Sequence, residues 1–267
     1  MFVPRRIAIW VKKLLPQPLV AKLNTAYTGH HRRTVERLNR AWLHQLIVHH
    51  PATVQTGPFR GMRYGDAGLP GETVARWLGA YELELHPLVE SLCGRAYAQV
   101  INIGCAEGYY AVGLARRLPR AQVKAFDIDT VAVGQCRRLA AVNGVADRLT
   151  VEGRCTVAGL NDLVRGATLI VCDCEGAELE LLDPLRVPRL AEADLLVEVH
   201  DFVDPAISQT LSSRFAATHT LTRIRSGDHA PAAYPQLAPL RPKDRALALN
   251  EFRPGPMEWF WVEHRGN

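Results

Sequence analysis

The chain has 267 residues and a mass of 29.6 kDa, which is long enough to bury a full hydrophobic core. Its composition, with 48% hydrophobic and 22% charged residues, is typical of a globular protein, and no apolar run reaches the ~20 residues that a membrane span needs. The net charge of +5 is small and comes mostly from scattered arginines, which favours an ordinary solvated surface over an anion-binding face.

The six cysteines include no C-x-x-C pair, and most of them lie in apolar surroundings, where a cysteine behaves as a small hydrophobic residue. Cys172 and Cys174 are two apart at a predicted strand, so we expect their side chains to point to opposite faces and to chelate poorly. No secretory signal is evident, because Lys12 and Lys13 interrupt the first short apolar run. We therefore expect a reduced, cytoplasmic protein.

Residues 1–90 are predicted to form a helical and loop extension that caps the main domain or binds the acceptor. Residues 5–23 alternate basic and apolar positions at roughly helical spacing. This helix could make a peripheral membrane contact, or it could pack its apolar face on the main domain. Residues 34–50 read as a second helix, and residues 72–94 read as a helical approach to the core.

Residues 91–267 are predicted to form the main domain, because strand and helix patterns alternate from residue 98 onwards. This rhythm indicates an α/β fold with a Rossmann-like, doubly wound, mostly parallel sheet of seven strands. The predicted strands cover residues 98–104, 122–129, 148–154, 167–173, 193–200, 219–226 and 257–265. The predicted helices between them cover residues 109–119, 130–144 and 176–185. The proline-rich residues 229–245 read as a long loop, and long loops in compact domains are often functional.

The stretch INIGCAEGYY, residues 101–110, is the first indication of a cofactor site. Gly104 and Gly108 lie between a strand and a helix, where glycine lets the backbone approach a ligand closely and helix N–H groups face an anion. Asp127 ends the next strand, where a carboxylate can accept hydrogen bonds from both hydroxyl groups of an adenosine ribose. Both features lie at the carboxyl edge of the sheet, which predicts a nucleotide-type cofactor. The G-x-G-x-x-G fingerprint of a dinucleotide site is absent, which disfavours an oxidoreductase.

Three segments, residues 101–115, 125–129 and 172–182, resemble successive motifs of class I S-adenosylmethionine-dependent methyltransferases. The DCEGAE of residues 173–178 is similar to the D-x-E-G-x-E signature of the FkbM-type family. The resemblance implies that the cofactor is S-adenosylmethionine and that the reaction is O-methylation of a hydroxyl group on a sugar, a glycan or a small natural product. The cofactor-binding residues that it implies are Asn102, Gly104, Cys105, Ala106, Glu107, Gly108, Tyr109, Asp127, Ile128 and Asp173.

Methylation of an alcohol requires that its proton be removed or that a metal ion bind its oxygen. The candidate catalytic residues at the ends of the fourth and fifth strands are Asp173, Glu175 and His200. By analogy with catechol-type O-methyltransferases, Asp173, Glu198 and His200 could hold Mg²⁺ or Mn²⁺. Alternatively, His200 or Glu175 acts as a general base without a metal ion. Glu178 is expected to contribute least, as an exposed acid near a helix N-terminus.

Two other functions remain open at this point. A nucleic-acid methyltransferase is disfavoured because no N-P-P-[YF] motif follows the fourth strand and no dense basic and aromatic stripe is present. The chain could also bind the cofactor without turnover, since Asn102 occupies a position that is acidic in many class I methyltransferases. The expected partner is a small-molecule or glycan acceptor, with no nucleic acid.

Overall fold

The computed structural model of the protein describes residues 34–64, 73–251, 253 and 255–266. The basic helix predicted at residues 5–23, and with it the proposed membrane contact, lies outside the described residues. Among the residues that are described, no helix is both long enough and apolar enough to cross a membrane.

One seven-stranded sheet organises the molecule, in the order β3-β2-β1-β4-β5-β7-β6. Strands β1 to β5 pair in parallel, whereas β7 is antiparallel to both of its neighbours. The strands are β1 (Gln99–Ile103), β2 (Gln122–Phe126), β3 (Leu149–Glu152), β4 (Thr168–Cys172), β5 (Asp194–Val199), β6 (His219–Arg225) and β7 (Glu258–His264). Every residue of β4 and β5 is buried, as expected for central strands that are covered on both faces. All seven predicted strands and the mostly parallel sheet are confirmed.

Helices cover both faces of this sheet. They are α1 (34–47), α2 (Val74–Leu78), α3 (His86–Cys93), α4 (Tyr109–Arg117), α5 (Thr130–Val142), α6 (Val157–Leu163), α7 (Glu178–Leu181), α8 (Ile207–Phe215) and α9 (Pro242–Ala248). Gly144 lies just beyond the end of α5 with a φ of +67°, a left-handed conformation that glycine commonly adopts after a helix. Three helices, α6, α8 and α9, were not predicted from the sequence.

Two predictions of continuous local structure were wrong. The stretch 72–94 is not one helix, because Gly79 and Glu82 adopt left-handed conformations, with φ of +71° and +50°, between α2 and α3. The predicted loop 229–245 contains two short 3₁₀ turns, and α9 begins inside it. Pro242 is the first residue of α9, a position where the missing N–H of proline leaves no helical hydrogen bond unmade.

The core residues lie in two layers, one on each face of the sheet. One layer joins side chains from the predicted extension, such as Trp42, Trp77 and Leu85, to Val100 of β1 and Tyr109 of α4. The described part of the extension therefore packs into the same core as the sheet. The boundary between the extension and the main domain at residue 90 stays a prediction.

Candidate functional site

The loop between β1 and α4 lies directly against the end of β4. Gly104 has a φ of +76°, and a Cβ atom there would lie 1.5 Å from the carbonyl oxygen of Asp173. Gly108, with a φ of +99°, also leaves little room, because a Cβ atom there would lie 2.6 Å from Sγ of Cys136 in α5. Both positions therefore require glycine, which brings the loop backbone next to Asp173.

The carboxylate of Asp127 is held at the end of β2 by two backbone groups. Its Oδ2 accepts a hydrogen bond from the N–H of Ala106, and its Oδ1 accepts one from the N–H of Asp129, both at 2.8 Å. Ile128 beside it is 77% exposed. The first contact links Asp127 to the glycine loop, so the two predicted cofactor elements lie together. Their roles toward the ribose and the adenine stay predictions.

A small pocket lies between the glycine loop and the ends of β1 and β4. The predicted cofactor residues that line it are Asn102, Gly104, Cys105, Ala106, Glu107, Tyr109 and Asp173. Gly108, Asp127 and Ile128 do not line it. The pocket also includes residues that sequence reasoning did not assign to the cofactor, namely Arg76, Tyr81, Tyr110, Val171 and Trp259. No local motif marks Arg76 or Tyr81, because they reach the pocket from a segment that precedes the sheet.

Glu107 lies inside the protein rather than at its surface. Its side chain is 3% exposed and pairs with Nη1 of Arg76 at 2.9 Å. Oε1 of Glu107 also accepts a hydrogen bond of 2.9 Å from the hydroxyl of Tyr64. The guanidinium group of Arg76 lies over the ring of Tyr81, with its Cζ atom 4.2 Å from the ring centroid. These contacts connect the glycine loop to the chain before β1.

His200, which directly follows β5, is buried against Glu178. Nδ1 of His200 lies 2.5 Å from Oε1 of Glu178, and both side chains are almost fully buried. A carboxylate can only accept, so Nδ1 carries the proton and Nε2 is the nitrogen that faces the site. The expectation that Glu178 is exposed was wrong, because the first residue of the short helix α7 is buried against His200.

Three further carboxylates surround Nε2 of His200. The distances from this nitrogen are 3.4 Å to Oδ1 of Asp173, 3.5 Å to Oε2 of Glu198 and 3.7 Å to Oε2 of Glu175. The ends of β4 and β5 therefore bring all of the predicted catalytic residues together. The side chain of Glu175 is 77% exposed on a loop where its φ is +53°, so it forms the outer rim.

The candidate metal ligands that lie together in the structure differ in part from the predicted set. Among the described residues, Asp173, Glu175 and His200 each offer a ligand atom, and these atoms lie within 4.8 Å of one another. Glu198, which was predicted as the third ligand, is not in this group. Its carboxyl group is buried and interacts with Asp173 by a side-chain hydrogen bond, whereas Glu175 projects from the following loop.

Burial and charge crowding change the pKa values in this cluster. Burial, together with the charge of Asp173, raises the pKa of Glu198 to about 10, and burial also raises the pKa of Asp173. Burial lowers the pKa of His200, but the hydrogen bond and charge of Glu178 outweigh it, so the pKa of His200 is raised. The carboxyl group of Glu198 therefore keeps its proton near neutral pH and can donate it to Asp173, and the raised pKa of His200 makes its imidazole a stronger base.

The expectation that the side chains of Cys172 and Cys174 point to opposite faces was wrong. Their Sγ atoms lie 3.4 Å apart, because β4 ends at Cys172 and the alternation of a strand does not extend to Cys174. All six cysteines are free thiols. Trp259 and Trp261 are buried in the core, and Trp259 additionally lines the pocket.

A match to one curated methyltransferase covers about half of the chain. No family model matches the chain. It is 31% identical over 137 residues to ribosomal protein L11 methyltransferase of Trichlorobacter lovleyi, a match that covers 51% of this chain and 42% of the length of that protein.

Two solved structures resemble the chain at low identity. One is the O-methyltransferase TomG from Streptomyces achromogenes, which is involved in tomaymycin synthesis and was solved with S-adenosylmethionine. It is 15% identical to this chain, the match covers 70% of this chain and 81% of that chain, and the TM-score is 0.47. The other is an O-methyltransferase from Bacillus cereus in complex with S-adenosylhomocysteine, with 12% identity, coverage of 67% and 80%, and a TM-score of 0.45.

The sheet order and the position of the site define the fold class. Five parallel strands, with an antiparallel β7 between β5 and β6, form the Rossmann-like sheet of a class I methyltransferase fold, as predicted. The pocket lies beyond the carboxyl ends of β1 and β4, where an open α/β sheet binds its ligand. The finer resemblance to the FkbM-type family stays a prediction.

Proposed function

We propose that the protein transfers the methyl group of S-adenosylmethionine to a hydroxyl group of a sugar, a glycan or a small natural product. The observation that carries this proposal is the position of the buried Glu178–His200 pair. It lies beside Asp173, a residue that also lines the pocket beneath the glycine loop. A proton acceptor and a cofactor pocket thus share one wall, which is the arrangement that transfer to an alcohol needs.

The pocket fits the cofactor on two observations. The glycine loop approaches Asp173 so closely that a Cβ atom at Gly104 would collide with the carbonyl oxygen of Asp173, so the loop backbone and the end of β4 form one continuous wall of the pocket. In addition, Oδ1 of Asn102 is buried in the pocket wall without a hydrogen-bond partner, so it can accept from a bound ligand. When bound, S-adenosylmethionine supplies an electrophilic methyl group. Asp127 and the loop backbone hold its nucleoside end, and Asp173 lies at the boundary between the pocket and the acceptor side.

His200 is the proposed general base. Glu178 holds the Nδ1–H, fixes the orientation of the ring and stabilises the imidazolium that forms when Nε2 takes the proton of the acceptor hydroxyl. The carboxylates of Asp173 and Glu175 lie within 3.7 Å of Nε2 and stabilise the same positive charge. Without Glu178, both the direction of Nε2 and its basicity would be lost.

The same residues also fit a divalent metal ion. Asp173, Glu175 and His200 would supply two oxygen ligands and one nitrogen ligand, which suits Mg²⁺ or Mn²⁺, and Glu178 would orient the imidazole ligand from behind. When bound, such an ion would lower the pKa of an acceptor hydroxyl. His200 cannot serve as a ligand and as the base at once, so removal of metal distinguishes the two roles.

A hydroxyl acceptor is favoured over a nucleic acid because carboxylates surround the acceptor side of the site. Asp173 and Glu175 lie close together there, and their negative charge repels a phosphate backbone. The L11 methyltransferase relative suggests a protein acceptor as a second candidate. Cofactor binding without turnover is the remaining alternative.

The proposal can be tested with S-adenosylmethionine that is ¹³C-labelled on the transferred methyl group. The labelled cofactor is incubated with a panel of hydroxylated sugars, phenols and polyols, and with ribosomal protein L11, and new methyl signals are recorded by NMR. We expect an O-methyl signal with a hydroxylated acceptor and its loss in His200→Asn. A signal on the L11 protein alone would replace the proposed acceptor class. Cofactor binding with no methyl transfer to any acceptor would favour the non-catalytic alternative.

A further inference from the structure

Cys172 and Cys174 bring two thiols together on either side of Asp173. Their Sγ atoms lie 3.4 Å apart, and both cysteines are free. A disulfide places its sulfur atoms about 2 Å apart, so each sulfur has to move by less than ~1 Å to form one. Residues two apart in a chain have Cα atoms within about 7 Å of each other, which a disulfide can span. The pair is therefore close to the geometry of a disulfide.

Solvent reaches one of these two thiols and not the other. Cys172 is the last residue of β4 and is fully buried, whereas Cys174 is half-buried in the loop that leads to the exposed Glu175. Of the two sulfur atoms, a small oxidant can therefore contact only that of Cys174. The carboxylates of Asp173 and Glu175 flank Cys174 in the chain and repel an anionic oxidant such as oxidised glutathione. A neutral hydroperoxide is the class of oxidant that this position favours.

The other cysteines provide internal comparisons. Cys105 and Cys136 are hydrogen-bonded neighbours, but both are buried in the core. Cys155 is also buried, on the same face of the sheet as Cys174. Cys93 is half-buried like Cys174, but it packs against the core layer on the opposite face. Access to solvent and a neighbouring thiol thus occur together at Cys174.

We infer that Cys172 and Cys174 form an oxidative modification site, at which a hydroperoxide converts the two thiols to a disulfide. The sulfur of Cys174 attacks the peroxide and the O–O bond breaks, which leaves a sulfenic acid on Cys174 and releases water, or an alcohol from an alkyl hydroperoxide. The thiol of Cys172 then attacks the sulfenic sulfur, the S–O bond breaks and a second water leaves. In total the two thiols lose two electrons and two protons, and the peroxide takes up both.

The disulfide acts on the wall of the cofactor pocket through Asp173. The N–H of Asp173 donates a hydrogen bond of 2.9 Å to the carbonyl of Ile103, and a Cβ atom at Gly104 would lie 1.5 Å from the carbonyl oxygen of Asp173. When the sulfur atoms move together, the backbone of Asp173 has to turn, and this displaces its carbonyl group or the glycine loop. We therefore expect oxidation to weaken the binding of S-adenosylmethionine. This consequence rests on the proposed function, whereas formation of the disulfide does not.

Peptide mapping tests the chemistry. The reduced full chain is treated with hydrogen peroxide, the free thiols are alkylated, and the protein is digested with trypsin. Cleavage after Arg165 and Arg186 places Cys172 and Cys174 in one peptide, residues 166–186, and each other cysteine falls in a peptide of its own. We expect peptide 166–186 to lose two hydrogens and to escape alkylation, and dithiothreitol to reverse both changes. The peptide that contains Cys93 should stay alkylated.

Two variants separate the roles of the two sulfur atoms. Cys172→Ala leaves Cys174 without its partner, so oxidation should stop at the sulfenic acid, which dimedone traps. Cys174→Ser leaves only the buried Cys172, which should remain a free thiol. Cys93→Ser is the matched control and should form the disulfide as the wild type does. If Cys172→Ala does not fold, the wild-type peptide map and Cys174→Ser still decide the assignment.

Calorimetric titration before and after oxidation tests the effect on the pocket. We expect the affinity of the wild type for S-adenosylmethionine to fall about 10-fold on oxidation, as for the loss of one good hydrogen bond, and to recover with dithiothreitol. The affinity of Cys174→Ser should be the same before and after treatment with peroxide.

The inference is overturned if both cysteines of peptide 166–186 stay alkylated under conditions that oxidise free cysteine added to the same sample. A disulfide between Cys174 and Cys155, or oxidation of Cys172 in Cys174→Ser, also overturns it. An oxidised wild type with unchanged affinity overturns the effect on the pocket alone. Absence of S-adenosylmethionine binding to the reduced protein removes the proposed function and leaves the modification site standing.

Discussion

Glu178 and His200 show how a buried residue can escape a sequence pattern. In the sequence, Glu178 begins a short helix among other acids, where an exposed side chain is the ordinary expectation. In the structure, α7 contributes its buried first residue to Nδ1 of His200, which the chain reaches 22 residues later. The pairing depends on the parallel arrangement of β4 and β5, and no local spacing encodes it.

At this scale we predict that Glu178→Gln lowers kcat by about 10- to 100-fold, as for loss of a residue that orients a functional histidine. Glutamine keeps an oxygen acceptor for Nδ1–H but removes the charge that raises the pKa of His200. The acidic limb of the pH–rate profile should therefore move to lower pH. The comparison uses initial rates across the pH range, with Glu180→Gln, an exposed acid of the same helix, as the control. Equal rates and equal profiles in all three proteins would exclude this role.

His200→Asn should remove the base altogether and lower kcat by about 10²- to 10⁴-fold. Because His200 does not line the pocket between the glycine loop and the ends of β1 and β4, the affinity for S-adenosylmethionine should change little. Rate and cofactor affinity measured on one preparation test both statements. A variant that loses cofactor binding to the same extent as rate would place His200 in the cofactor site instead.

At the scale of elements, the glycine loop and the end of β4 form one unit. Gly104→Ala places a Cβ atom 1.5 Å from a backbone oxygen, so either the loop or β4 must move. We predict a loss of stability that exceeds the ~1 kcal/mol typical of a point substitution, together with loss of cofactor binding. Urea unfolding measures the first effect and calorimetry measures the second.

Gly134→Ala is the matched control for this substitution. Gly134 lies inside α5 with nothing within 4 Å of an added Cβ atom, so alanine should stabilise the helix by about 0.5–1 kcal/mol. If both alanine variants showed the same stability, the close approach at Gly104 would be without consequence.

The candidate metal ligands lie at the ends of β4 and β5, and the role of a metal ion there can be tested. Dialysis against EDTA followed by addition of Mn²⁺ tests it, because a resident ion predicts loss and recovery of activity, whereas a base at His200 predicts no change. Asp173→Asn with Glu175→Gln should abolish any recovery, since both belong to the grouped ligands. Glu198→Gln should retain more of it, because Glu198 is outside that group.

Prediction from sequence succeeded where a pattern is local and failed where a contact is distant. Apolar runs and glycine turns predicted β1 to β7 and the edge of the sheet where the site lies, because strands that are buried on both faces consist mostly of apolar residues. Sequence patterns missed the pairing of Glu178 with His200 and that of Arg76 with Glu107, because these residues are far apart in the chain. They also missed the Sγ contact of Cys172 with Cys174, which depends on where β4 ends. The break at Gly79 needed a left-handed φ that a helical pattern conceals.

At the scale of the whole molecule, buried acids link stability to pH. Burial raises the pKa of Glu82 to about 8, and the hydroxyl of Tyr110 donates a hydrogen bond to Oε2 of Glu82. Below pH 4.5, its usual pKa, Glu82 is protonated in both the folded and the unfolded protein, so its ionisation does not lower the free energy of unfolding. Between that value and about pH 8 only the unfolded chain ionises, so the free energy of unfolding falls as pH rises.

We therefore predict that Glu82→Gln stabilises the protein more at about pH 8 than at about pH 5. Urea unfolding of both proteins at the two pH values gives the difference directly. Other buried acids act in the same direction in both proteins and cancel from it. Glu192→Gln, at an exposed position, should show no such dependence. A pH-independent difference for Glu82→Gln would mean that Glu82 ionises normally in the folded protein.

The central claim, a pocket for S-adenosylmethionine, is tested most directly by calorimetric titration of the wild type and Asp127→Ala, with the exposed Asp147→Ala as the control and NAD alongside. The account predicts binding of S-adenosylmethionine on the micromolar scale, about −8 kcal/mol, and a loss of about 1.5–3 kcal/mol in Asp127→Ala. Asp147→Ala should bind as the wild type does. Absence of S-adenosylmethionine binding, or binding of NAD in its place, would contradict the account and leave only the fold.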